Sequence, residues 1–325
     1  VSEQEYIAIV GEIFDGYTEF EYKGQPAYLK HFSIRDQRYI HKYYEKYKNI
    51  AVKKGIPTEE QMTAQLVADG LWCDEDDMKI AQLETEVENL KETKRNLTLP
   101  SQKEKTQESI NDRSKELNFL KIKKKEVIGK TAEDYGSSRS NEEFIRYILF
   151  KDETLKDHLF SEDEFSEIND MDIAYLVKQH ESCSERLKEE NIQSAVLRDF
   201  FNMYLSQTEN LFNFYGKSII HLSVYQLKLA LYARVFFNIF QYNEDVPEYI
   251  KKNPSDLLKF AESKRNGNKA SEKFKNSDNG ATAVFGATKE DLSFVDPSAK
   301  KISLSDELNK NGGSMNMEDL MKLMS

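Results

Sequence analysis

Five histidines, two cysteines and a run of four acids are the residues of this 325-residue chain whose spacing bears most directly on chemistry. His31, His41, His158, His180 and His221 form no H-x-x-H or H-E-x-x-H pattern, so no two imidazoles sit at the helical spacing that holds a zinc ion. Cys183 follows His180 at i,i+3, which places thiol and imidazole on one helical face. A Cys-His nucleophile also needs a third group to orient the imidazole, and none is identifiable, so the pair is read as proximity alone. Cys73 and Cys183 are 110 positions apart, which makes neither a disulfide framework nor a zinc knuckle, and implies a reducing compartment or an assembly without disulfides. Asp74, Glu75, Asp76 and Asp77 have oxygen ligands for a hard cation but lack EF-hand spacing and a central glycine. At the start of a helix they would instead meet free N–H groups and the positive end of the dipole. No glycine-rich phosphate loop of the G-x-G-x-x-G or G-x-x-x-x-G-K-[ST] type occurs. No catalytic, cofactor-binding or metal-ligating residue is assigned, and the chain reads as a non-enzyme that uses no cofactor.

Charge points the same way. Lys and Arg total 46 and Asp and Glu 57, a formal charge of -11, which disfavours a nucleic-acid binder working through a broad basic surface. The one dense basic run, Lys121–Lys125 (KIKKK), lies in a stretch, Asp74 to Lys130, with 13 acids and 13 bases, and reads as a solvated helix face. No window approaches 18 apolar residues; the richest, Leu229 to Tyr242, contains Arg234, Asn238 and Gln241, so no membrane span is expected and the chain reads as soluble. The opening residues VSEQEYIAIV lack the basic-then-apolar order of a secretion signal, and the glycosylation triplet Asn96-Leu97-Thr98 is therefore taken as chance.

The elements that would position these residues are mainly helical. Residues 1–73 are expected to hold a small β-hairpin and short helices. In YTEFEYKGQPAYL (17–29), Phe20 and Tyr22 recur at period two before a Lys23-Gly24-Gln25-Pro26 turn, and Pro26 pushes the second strand toward an edge. Ile34, Tyr39, Tyr43, Tyr47 and Ile50 then predict a helix ending near Gly55 and Pro57. Thr58 and Gln61 form a capping box for the next, after which Leu71 and Trp72 are expected to pack back. Residues 74–130 carry Ile80, Leu83, Val87, Leu90, Lys94 and Leu97, then Ile110, Arg113, Leu117, Leu120, Lys124 and Val127. Each set is spaced 3, 4, 3, 4, 3, which predicts an antiparallel coiled-coil helical hairpin turning at Leu99-Pro100-Ser101.

Residues 131–261 read as a helical domain. Gly129–Asn141 is expected to be a Gly/Ser linker into it, and 189–242 an aromatic-rich core of two or three long helices interrupted near Gly216 and Ser218. Ser255 caps a last short helix. Residues 262–325 read as an extended or disordered partner-binding tail with apolar islands at 283–294 and 315–324.

Three stretches carry a resemblance: YTEFEYKGQPAYLKHFS, KKGIPTEEQMTAQLVADGLWCDEDD with the helix after it, and VYQLKLALYARVFFNIFQYNEDVP (224–247). Together they resemble poorly characterised structural or assembly proteins encoded among the tail and baseplate genes of contractile-tailed bacteriophages. That resemblance implies a virion protein, assembled in the host cytoplasm, that acts as an oligomeric structural protein through contacts with other tail or baseplate proteins. The alternative is a tail or baseplate assembly chaperone absent from the mature particle.

Overall fold

Ser2 opens the first helix of the computed structural model, which describes residues 2–97 and 100–275. Its side chain accepts from the Glu5 amide while the Glu5 carboxylate accepts from the Ser2 amide, a capping box worth about 1 kcal/mol. Helix α1 (Glu3–Asp15) buries Tyr6, Ile9, Val10 and Ile13, a helical stripe that the sequence reading passed over. Gly16 ends it in the left-handed conformation, and strand β1 (Tyr17–Tyr22) follows at once. Lys23 and Gly24, both at positive φ, turn the chain into β2 (Gln25–Lys30).

The expected hairpin is therefore present, but β2 is not an edge strand. The order is β1-β2-β3, with β3 (Leu149–Phe150) pairing antiparallel to Tyr28 and Leu29. Pro26 is tolerated because this third strand pairs only beyond it, where no proline nitrogen is asked to donate.

The described residues divide into two compact units: residues 2–62 with Lys130–Leu258, and Thr63–Gly129 with the part of the last helix from Lys259. In the first unit, α2 (Ile34–Lys53) lies against α6 (Ala132–Ile148). The stretch expected as a linker is thus the start of a helix. Thr131 and Asp134 form its capping box, and the small residues Gly136 and Ser140 are buried. A Cβ added at Gly136 would stand 3.1 Å from the Tyr44 ring and backbone oxygen, so the Gly/Ser composition serves close approach of two helices. Tyr39 and Tyr147 stack across this contact at 4.4 Å.

The aromatic-rich region holds one long helix, α11 (Val224–Tyr242). Before it come α9 (Glu189–Val196), a 3-10 segment (Asp199–Glu209), α10 (Leu211–Tyr215) and a 3-10 turn (Ile219–His221). Asn210 caps α10 through the Asn213 amide and Gly216 ends it at positive φ, so the chain restarts where a second long helix was expected. α11 packs on α9, on α1 and on the 3-10 segment. Leu229, Ala233 and Phe236 of α11, Ile192 and Val196 of α9 and Phe201 of the 3-10 segment are all fully buried, and each large side chain contributes about 1.5–3 kcal/mol. Along the chain, α7 (Glu162–Ser166) and α8 (Asp170–Arg186) connect β3 to α9.

The second unit begins within α3 (Glu59–Ala68), the helix opened by Thr58 and Gln61. Trp72 is buried as expected, but Leu71 is exposed. Helices α4 (Asp74–Asn96) and α5 (Pro100–Ile128) then pack together, with Leu83, Leu117 and Leu120 in one buried cluster and Ile80 against it. Asp77 meets Lys124, Glu86 meets Arg113 and Lys94 meets Gln107, so the two helices run in opposite directions. On α5 the buried line departs from the strict repeat. Arg113 and Val127 are exposed while Ser114 is half-buried and Ile128 buried, the drift expected of 3.6 residues per turn against a 3.5 period.

Helix α12 (Pro254–Lys275) is capped by Asn253, which accepts from the Asp256 amide, and not by Ser255. It continues well past Ala261, so 262–275 is helical where an extended tail was expected. Residues 276–325, with both apolar islands, lie outside the described residues.

Candidate functional site

Thr18 of β1, His31 just after β2, and Glu12 of α1 converge with Cys183 and Arg186 of α8 in the first unit. The Thr18 hydroxyl donates to Glu12 Oε2 at 2.9 Å. It also lies 3.0 Å from His31 Nε2 and 3.2 Å from Cys183 Sγ. Arg186 donates to the same Glu12 oxygen at 2.5 Å. A hydroxyl has one hydrogen and two lone pairs. With its hydrogen spent on the carboxylate, Thr18 accepts from His31 Nε2–H and from the Cys183 thiol. His31 Nδ1 is then a bare acceptor, and it is buried without a hydrogen-bond partner.

Electrostatics agrees with this proton count. Burial, aided by the Arg186 charge, pushes His31 down to about 3. Burial pushes the Cys183 thiol up, which keeps it protonated and able to donate. Glu12 is raised by burial, opposed by Thr18 and Arg186. A Cys-His nucleophile needs the opposite arrangement, a lowered thiol beside an imidazole able to take its proton. The Sγ to Nε2 distance is 4.0 Å. This cluster is chemically a neutral clip that joins α1, the hairpin and α8.

The pairing weighed from sequence, His180 with Cys183, does not form. His180 packs edge-on against Phe144 at 5.2 Å, with burial lowering its basicity, while Cys183 faces Thr18 and His31. His158 lies against Phe150 at 4.4 Å, His41 stacks near Tyr44, and His221 is exposed. The acids 74–77 occupy the first turn of α4, where Asp76 accepts from the Cys73 thiol and Asp77 pairs with Lys124. Among the described residues no group of three or more His, Cys, Asp or Glu is placed to hold a metal ion. Of the basic run, Lys121 pairs with Glu84, Lys124 with Asp77, and Lys123 sits over the Trp72 ring. No described helix is long and apolar enough to cross a membrane.

A second polar centre lies between α2 and α6. Arg146 donates twice to the buried Glu143 carboxylate, at 2.8 and 2.6 Å, and Tyr39 donates to the same group at 2.6 Å. Beside it Asp36 accepts from Lys30, Tyr147 and Ser33. Burial raises the Asp36 carboxyl, but these hydrogen bonds outweigh it and hold it below its ordinary value.

Sequence reasoning found neither centre: Thr18 and Cys183 are separated by 165 positions, and Glu143 and Arg146, though at i,i+3, are joined by Tyr39 from 104 positions away. What faces outward is apolar in places. Phe119 and Ile122, at i,i+3 on α5, are 67% and 60% exposed, and Met78 on α4 is 63% exposed. The Asp77–Lys124 pair sets Met78 near the axial level of Ile122. No protein-family model, no curated protein and no solved structure matches this chain.

Proposed function

We propose that this protein is a structural subunit of a bacteriophage tail or baseplate, acting through protein–protein contacts in virion assembly. In this reading α4 and α5 form a coiled-coil arm, and the chain beyond α12 binds neighbouring subunits. The observation that carries it is the outward apolar set Met78, Phe119 and Ile122 on the paired helices. Such side chains on an otherwise charged helical surface are what an interface core requires. The polar clip around Thr18 favours a scaffold over a reaction centre, because its thiol and imidazole are held neutral.

The test is quantitative mass spectrometry of purified particles together with limited proteolysis. A fixed copy number in the particle, with the chain beyond α12 cleaved in the free protein and protected in the assembly, is the expected result. Absence from particles, with a soluble complex to a tail protein, would replace this reading with the assembly chaperone.

A further inference from the structure

Within the second unit, the end of α4, the start of α5 and the middle of α12 border an open cleft of about 470 Å³. Five cations line it, Lys91, Lys94, Arg95, Lys103 and Arg265, against one acid, Glu262. That is a local excess of four positive charges in a chain whose formal charge is -11. We propose that this cleft is a binding site for a phosphate-bearing anion the size of a nucleotide or smaller.

The ordinary reading of Lys94 and Arg95 is that they complement the negative end of the α4 dipole. It does not extend to Lys103, in the first turns of α5, or to Arg265, on α12. The first turn of α5 carries no acid, so its positive end is left to offset the negative end of α4. The side-chain charges then set the potential. They are only partly neutralised: Lys103 pairs with Glu262, Lys91 lies 3.8 Å from Glu88, and Lys94 donates to the neutral Gln107. Arg95 and Arg265 make no ion pair among the described residues. Two guanidinium forks with three ammonium groups suit the several oxygens of a phosphate chain, which accept paired N–H bonds. The volume lies in the range of small-molecule sites, and Ile110 offers one apolar wall.

The test is titration calorimetry on the full chain in 0.1 M salt, with metal-free tripolyphosphate and ATP as probes. Saturable 1:1 binding is expected, with Arg95→Gln and Arg265→Gln each weakening it about tenfold or more. Lys105→Gln removes the same charge from an exposed position on α5 that does not line the cleft, and should change affinity less than about twofold. Circular dichroism melts confirm that each variant folds. Tighter binding of ATP than of tripolyphosphate would assign a nucleotide; equal binding would assign the phosphate chain alone. The proposal is overturned by no saturable binding of either probe, or by equal losses at Arg95 and Lys105. Tighter binding of a poly-glutamate peptide than of tripolyphosphate would also overturn it, and would give the cleft to an acidic polypeptide.

Discussion

The Thr18 hydroxyl and the His31 imidazole, 3.0 Å apart, fix each other's protons: because Thr18 donates to Glu12, His31 must donate from Nε2. A protonated imidazolium would need a second acceptor at Nδ1, and that atom is buried without one.

Stability should therefore depend on pH through His31. Its folded value, about 3, lies below the ordinary 6.5, so the unfolded chain binds more protons between these limits. The contribution is complete above pH 6.5 and is lost as pH falls toward 3, on the order of 5 kcal/mol across the full window. Urea unfolding from pH 7.5 to 4.5 should show a falling midpoint, and His31→Gln should flatten that slope.

The two thiols should react unequally. Cys73 is exposed and Cys183 buried, with its thiol pushed up by burial. Iodoacetamide on the native protein should label Cys73 alone, and both residues after denaturation, as read by peptide mass spectrometry. Comparable native labelling would contradict the closed clip.

Two glycine substitutions should have opposite signs. A Cβ at Gly11 of α1 meets nothing within 4 Å, so Gly11→Ala should stabilise by about 0.5–1 kcal/mol through helix propensity. At Gly136 the same change meets Tyr44 at 3.1 Å, including its backbone oxygen. Overpacking of about 1–3 kcal/mol should outweigh the propensity gain there. Thermal melts of the two variants decide it.

Breaking the Glu143–Arg146 pair should be among the costlier changes. Glu143→Gln leaves a buried guanidinium without its charge partner, a loss of about 3–5 kcal/mol. Tyr39→Phe removes one hydrogen bond to the same carboxylate and should cost about 1–2 kcal/mol. Chemical denaturation of both variants gives the comparison.

Along α5 the buried position is Ile128, not Val127. Ile128→Ala should cost about 2–4 kcal/mol and Val127→Ala less than about 1 kcal/mol. Equal losses in denaturant midpoint would restore the strict heptad line.

Local chemistry was legible from sequence alone. The hairpin, the α2 periodicity with its Gly55 and Pro57 stop, the Thr58–Gln61 box and the apolar line through Leu83, Leu117 and Leu120 are all short-range patterns. They are set by backbone preference and by the burial period of one element, and neighbouring residues encode both. Tertiary structure decided what depends on a distant partner. Gly136 belongs to a close helix contact because Tyr44 of α2 lies against it, and the same Gly/Ser letters would suit a linker if nothing did. Strand β2 is central because Leu149 and Phe150 arrive beside it. Cys183 faces Thr18 and His31 because α8 packs near the hairpin, although His180 is its closer neighbour in sequence. Burial then sets the charge state: the low dielectric around His31 and Cys183, a property of the packed chain, keeps both neutral.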